Sequence, residues 1–376
     1  MHTTYMIVMM KRYLTSSNLV DCVGASALFK CSDVRDHVYA LLSLTSHASG
    51  IDPDYSLSIS DVCLRLATNV LVNDRNLNVL SLAPHTSAPV GGKSPARLPD
   101  LPSWAPDLTC QGHLNTLSQY SIRQRVFRAG GETPPPGVWI SSDSDGRPLL
   151  HLQGRIVDTV EEMAPSIDAL GFPSDEDIAP KAGFSAKIKM RMRNWIRACR
   201  AVAFPSLSVT AGDGVATATA TNVDTDTRWS LAFARTLLCS MTALRDPAPA
   251  EVLESVQDYV NYLECYFTPD WVLPESLRDI MLKYGPLIEQ SLIVRGGGGG
   301  MSLCRTVEGR LGQVRTEGRK GDVICVLLGA EVPYLLRRSE RDPGLWELVG
   351  NAYVDEVMQG ETLMDGRYET VEIVME

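Results

Sequence analysis

The sequence predicts an α+β fold: mostly helical, with a small antiparallel β-sheet or barrel formed by a mid-chain hairpin and a C-terminal meander. Near the end, three short apolar runs at 323–328, 332–337 and 345–354 are set off by turn signals at Gly321-Asp322, at 329–331 and at 339–344. In the third run Trp346, Leu348 and Gly350 alternate with Glu347 and Val349. In mid-chain, 138–140 and 149–153 flank a turn at Asp145-Gly146, and 154–160 continue extended. Between the two lies a long helical pattern, Phe184, Ile188, Met192, Trp195, Cys199 and Val202, recurring every three or four residues. A two-strand unit is marginal by itself, so the hairpin and the meander are expected to join in one discontinuous β-unit.

Taken in order, the chain starts with a weak pattern in which Leu14, Leu19, Val23 and Leu28 could line a helix face. From Ser32 or Asp33 as cap, Val34, Val38, Leu41 and Leu42 recur at helical spacing until Gly50 and Asp52-Pro53 break it. A second helix follows, with Ile59, Val62, Cys63, Leu66 and Val70 on one face, Ser58 as N-cap and Asp61 three residues on. The two read as a helical hairpin within 1–83. Residues 84–137 are rich in Pro and Gly and read as a long surface connection that Trp104 anchors by burying its ring. The discontinuous β-unit is expected at 138–164 plus 296–376, with a helical insertion at 165–295. Within the insertion the small-residue stretch 211–227 reads as a disordered loop. Helices are expected at 229–241, 252–263 and 277–284, and a further strand at 302–307.

Composition sets limits on function. A net charge of −10 over 376 residues argues against a broad nucleic-acid footprint, which needs clustered positive charge. Nine cysteines, an odd number with no Cys-x-x-Cys pair, read as reduced thiols of a cytoplasmic or nuclear protein. The apolar run at 6–10 is too short to span a membrane. Among six histidines no two lie at metal-ligand spacing, and neither a Gly-x-Ser-x-Gly elbow nor His-Glu-x-x-His is present. The glycine run 296–300 lacks the Lys-Ser or Lys-Thr of a phosphate loop and reads as a connector. Glu161-Glu162 and Asp175-Glu176 are contiguous, so on a regular element they should point apart into solvent. No catalytic, cofactor-binding or metal residue is therefore assigned. Arg35 and Asp36 could form a charged site; the simpler reading makes Asp36 a first-turn residue and Arg35 a tie to a neighbouring loop. His37 is expected to face solvent, and Tyr39 and Tyr55 to be core or rim aromatics with bonded hydroxyls. The basic back of the long helix, between Lys187 and Arg200, is expected to be solvated and paired with acidic groups; contact with a membrane surface is the alternative.

Several stretches in one order resemble a known family. Asp33-Val34-Arg35-Asp36-His37-Val38-Tyr39-Ala40-Leu41-Leu42, Asp52-Pro53-Asp54-Tyr55-Ser56, Leu80-Ser81-Leu82-Ala83 and Leu101-Pro102-Ser103-Trp104-Ala105-Pro106-Asp107 come first, and Phe233-Ala234-Arg235-Thr236-Leu237 follows. The C-terminal block has Gly321-Asp322, Leu328-Gly329, Val332-Pro333, Leu336-Arg337, and then Gly350-Asn351-Ala352-Tyr353-Val354 running to Met358-Gln359-Gly360-Glu361. Together they are similar to the region downstream of the heterokaryon-incompatibility (HET) domain of fungal proteins, over about 33–361. Asp355-Glu356 stand where relatives often have His-Gly. The block that opens HET domains, resembling Tyr-x-Ala-Leu-Ser-Tyr-x-Trp-Gly and regarded as a death effector distantly related to TIR-type domains, is missing. The resemblance implies a non-enzymatic regulatory or interaction protein of the incompatibility type, a truncated HET protein with a protein partner and no cofactor. An accessory protein or enzyme of fungal specialised metabolism, with a site between the helical and β parts, is the alternative.

Overall fold

The computed structural model describes residues 18–26, 30–45, 50–83, 97–113, 126–171, 184–205, 223–242, 246–268, 271–292 and 300–376. The apolar run at 6–10, Asp175-Glu176 and the first four glycines of the 296–300 run lie outside them, as does 211–222. The rest of the small-residue stretch, 223–227, begins a helix. The chain forms two compact units. One comprises Met1–Asp158, Gly321–Ala352 and Glu356–Glu376; the other Thr159–Lys320 and Tyr353–Asp355.

The strands in chain order are β1 (Trp139–Ser142), β2 (Pro148–Met163), β3 (Met301–Thr306), β4 (Leu311–Arg315), β5 (Val323–Leu327), β6 (Tyr334–Arg338), β7 (Trp346–Val354) and β8 (Val371–Met375). The expected α+β class holds, and the mid-chain hairpin does join the C-terminal meander. The hydrogen-bonded order is β1-β2-β3-β4-β7-β6-β5, and β5 also pairs with β2, so the path returns on itself. The return is to β2, and β1, which pairs only with β2, stays at an edge.

In the first unit β2 is central. β1 lies antiparallel to it with Trp139 opposite His151 and Ser142 opposite Pro148. β8 lies antiparallel too, with Leu150 opposite Met375 and Gly154 opposite Val371. Side chains alternate between faces along a strand. Leu150, Leu152, Ile373 and Met375 are accordingly buried on one face, while Trp139, His151, Gln153 and Glu372 share the other. β5, β6 and β7 form the meander, with Val323 opposite Leu336 and Tyr334 opposite Asn351. Asp322, in the Gly321-Asp322 turn, holds Arg337 of β6 through Nε at 2.8 Å and Nη2 at 2.7 Å.

The first unit's helices are α1 (Leu19–Ser26), α2 (Asp36–Tyr39) and α3 (Ile59–Thr68). α3 starts as its sequence predicts: Ser58 Oγ accepts the Asp61 N–H at 3.1 Å, and the Asp61 carboxylate accepts the Ser58 N–H at 3.2 Å. The preceding arm is shorter than its pattern predicts. The Asp33 carboxylate accepts the Arg35 N–H at 3.0 Å in a local turn, so helix begins only at Asp36 and gives way to a 3-10 turn at Leu42–Leu44. Residues 101–108, expected on a surface connection, are almost all buried, with Trp104 fully enclosed. Proline rules out helix there, so side chains satisfy the backbone instead. Arg97 donates to the Ala105 carbonyl at 2.8 Å, and Asp107 accepts the N–H groups of Leu98 and Thr109.

The second unit contains α4 (Phe184–Ala203), α5 (Val223–Leu238), α6 (Ala250–Cys265), α7 (Glu275–Lys283) and α8 (Gly285–Leu292). Their core includes Met192, Trp195, Phe233, Tyr259 and Ile288, and it takes in Leu303 of β3 and Leu311 of β4. Beside it the end of β2 pairs with β3, and β3 with β4. The β2–β3 register slips between Val160 and Glu162, a bulge that leaves Glu161 as the extra residue. A bulge re-aims side chains, and this one corrects the expectation that Glu161 and Glu162 point apart into solvent. Both carboxylates reach Arg305 of β3, Glu162 at 3.1 Å. A last helical turn, α9 (Glu361–Met364), belongs to the first unit.

Candidate functional site

Arg35 and Asp36 are joined to their surroundings, as the simpler reading has it. Arg35 donates Nε and Nη2 to the Asp33 carboxylate, at 2.9 and 2.7 Å, and Nη1 to the carbonyls of Tyr55 and Leu57, at 2.6 and 2.9 Å. Its guanidinium thereby ties the loop before α3 to the turn before α2. The Arg35 contact also holds the Asp33 carboxyl at a pKa of about 2, below its usual range. Asp36 accepts the Tyr55 hydroxyl at 2.6 Å, and the Tyr39 hydroxyl donates to the Asp54 carbonyl at 3.0 Å. Both tyrosines therefore have bonded hydroxyls, and their rings meet edge to face at 5.2 Å. His37 corrects the sequence reading. It is buried rather than solvent-facing, and burial lowers its pKa despite the opposing pull of Asp36. With helix limited to one turn, helical periodicity no longer says which way its side chain points.

In the second unit two distant motifs meet. Arg235, from Phe233-Ala234-Arg235-Thr236-Leu237, donates Nε and Nη2 to the two oxygens of Asp355, at 2.7 and 2.6 Å. Asp355 Oδ1 is also 3.3 Å from the Tyr353 hydroxyl, which lies 2.8 Å from Ser240 Oγ. An ionised carboxylate can only accept, so Tyr353 donates to Asp355 and Ser240 donates to Tyr353. Burial raises the Tyr353 hydroxyl well above its ordinary pKa, which keeps it a donor. Ser240 reaches this position because α5 ends with Cys239 and Ser240 both at positive φ, 49° and 52°. The last turn's free carbonyls are met from β4: the Gln313 amide donates to Thr236 at 2.8 Å and to Leu237 at 3.0 Å. Asp355, standing where relatives often have His, thus serves as the anion of a bidentate pair.

The basic back of α4 is largely engaged as well. Lys189 pairs with Glu289 at 2.9 Å, Arg197 with Glu264 through Nε at 2.9 Å, and Arg191 donates to the Ile167 carbonyl at 3.0 Å. The Arg193 guanidinium stands 4.7 Å from the centre of the Phe267 ring. Met192 and Trp195, the bulky residues that lipid contact would use, are fully buried in the core. Among the described residues no helix is long and apolar enough to cross a membrane, and no three His, Cys, Asp or Glu come together as metal ligands. Among the described residues, which include all nine cysteines, none is joined in a disulfide. Six are buried, Cys31 is exposed, and burial pushes the Cys63 and Cys325 thiols up to about 12.

One constellation on the β1-β2-β8 face was not legible in the sequence. Ser141 Oγ lies 2.8 Å from His151 Nε2, and His151 Nδ1 lies 3.1 Å from Glu372 Oε1. Trp139 stacks on the imidazole with ring centres 3.5 Å apart and planes 13° from parallel. Register accounts for the grouping. Trp139 faces His151 across the ladder, Ser141 is two residues from Trp139 on the same face, and Glu372 is diagonal to His151 from β8. The His151 side chain is 12% exposed and that of Glu372 58%.

This is an α+β protein whose strands close a hydrogen-bonded path and whose Arg35, Asp322 and Arg235 are tied into internal pairs. Residues 295–371 match the family model of the Het-6 beta-barrel domain. The match bears out the resemblance to the region downstream of the HET block. It spans β3 to β7, whereas β2, which pairs with both β3 and β5, lies outside it. Neither a curated protein nor a solved structure matches the chain.

Proposed function

We propose that this chain is a regulatory and interaction protein of the heterokaryon-incompatibility type, acting in the cytoplasm by binding a protein partner and not by enzymatic turnover. The observation that carries this reading is the Het-6 beta-barrel match at 295–371. Supporting it, the charged residues of the family-like motifs hold the fold: Arg35 ties two loops, Asp322 holds Arg337, and Arg235 holds Asp355. Groups so engaged, with both ends of each pair satisfied, are poor candidates for chemistry on a substrate.

The test is expression of the full chain in a filamentous fungal host, followed by viability counts before and after hyphal fusion. Normal growth in unfused cells, with death that depends on the genotype of the fusion partner, is the expected result. Death of unfused cells would point to a toxic activity of the chain's own. Equal viability across a panel of genetically distinct fusion partners would remove the incompatibility role.

A further inference from the structure

We infer that Ser141 is an activated nucleophile, placed to accept an acyl group from an activated ester or thioester, with His151 as general base and Glu372 orienting the imidazole. The polarity of the relay follows from its donors and acceptors. The Glu372 carboxylate can only accept, so His151 Nδ1 carries a proton; in the neutral imidazole Nε2 is then the lone pair, and the Ser141 hydroxyl must donate to it. That is the arrangement nucleophilic serine chemistry needs: a hydroxyl on a free imidazole nitrogen, and the other nitrogen fixed by an anion.

A cross-strand polar ladder would also place polar groups on this face, but three features go further. Both ring nitrogens are engaged, Nε2 with the Ser141 hydroxyl and Nδ1 with the Glu372 carboxylate. The ring plane is fixed by Trp139, stacked 3.5 Å away. All four residues stand on paired strands whose opposite face buries Leu150, Leu152, Ile373 and Met375, so the array is backed by packed core. Like His151, Ser141 is half-buried, so neither is sealed in the core.

In the reaction, Ser141 Oγ forms a bond to the carbonyl carbon as its proton passes to His151 Nε2. The bond from that carbon to the leaving oxygen or sulfur breaks, and the leaving group takes the proton from Nε2. The products are acyl-Ser141 and a free alcohol or thiol, with no change of oxidation state. This goes beyond the proposed function: stoichiometric acylation is compatible with an interaction protein, whereas repeated turnover is not.

The full chain is treated with a fluorophosphonate probe, which captures activated serines, and the adduct is mapped by peptide mass spectrometry. p-Nitrophenyl acetate is followed in parallel for a burst of p-nitrophenolate. The expected result is one adduct per chain on Ser141 and a burst of one equivalent, both lost in Ser141→Ala. Labelling should fall by about 100-fold or more in His151→Gln and by a smaller factor in Glu372→Gln. Glu372→Gln, at an exposed position, keeps the test valid should His151→Gln fail to fold. No adduct on Ser141, or an adduct formed at the same rate in Glu372→Gln and His151→Gln, overturns the inference. Continued release after the burst would leave Ser141 a nucleophile and overturn the non-enzymatic reading instead.

Discussion

Replacing Asp355 by Ala removes the anion that holds Arg235. Two charge-assisted bonds at 2.7 and 2.6 Å are lost, and so is the 3.3 Å bond from the Tyr353 hydroxyl. Breaking a buried pair by removing one partner costs about 3–5 kcal/mol, because the remaining charge is left uncompensated. The Arg235 side chain keeps 26% of its exposure and can recruit water, so the lower end, about 3 kcal/mol, is expected. For a unit of this size each kcal/mol shifts the midpoint by about 2–4 °C, so a fall of about 6–12 °C follows. Urea and thermal unfolding of Asp355→Ala, Arg235→Met and the double variant complete the cycle. The double variant leaves neither charge stranded and should be more stable than the sum of the singles predicts, by about 1–3 kcal/mol. A single-variant loss below about 0.5 kcal/mol, or strict additivity, would refute the idea that these motif residues serve the fold.

Three further outcomes are expected. In Gly312→Ala the new Cβ would sit 2.7 Å from the Tyr353 backbone carbonyl, so β4 must separate from the 353–355 segment; a clear drop in the denaturation midpoint is expected, and an unchanged midpoint would contradict that close approach. Ser58→Ala removes the capping box of α3 and should cost about 1 kcal/mol in urea titrations, with Ser58→Asp recovering most of it. His37 has a folded pKa below its ordinary 6.5, so as pH falls below 6.5 the unfolded chain takes up the proton first and stability declines towards the folded pKa; above pH 6.5 the group contributes nothing. His37→Gln should flatten that acid-side slope, and an unaltered slope would place His37 in a solvated setting.

Much of the fold could be read where one local rule decides it. The α4 stripe, the Ser58–Asp61 box and the turn-bounded runs of β5, β6 and β7 each depend on residues close in sequence. β4 was missed because Leu-Gly-Gln-Val-Arg looks like a polar connection. Its Gln313 is buried because it meets the carbonyls at the end of α5, and its Gly312 is there for a close backbone approach. β8 was missed as a short run at the end of the chain, and its place beside β2 follows from register rather than from composition. The convergence of Glu161 and Glu162 on Arg305 depends on a one-residue bulge that no periodicity announces. Arg235 and Asp355 stood in two recognised motifs, yet nothing in either showed that they pair across 120 residues. Ser141, His151 and Glu372 fell outside every motif. The strand expected at 138–140 stopped short of Ser141, so alternation alone did not place it beside Trp139; the 221-residue step from His151 to Glu372 needed the sheet order.

The proposal is that this chain works by binding a protein partner rather than by enzymatic turnover. The resemblance implies that the family's effector block, related to TIR-type domains, would cleave NAD, so the most direct measurement is nicotinamide release from NAD by the purified full chain, followed over hours by chromatography against a protein-free blank. The account predicts no release above the blank at any protein concentration. Release that rises in proportion to protein and continues over many turnovers would contradict it.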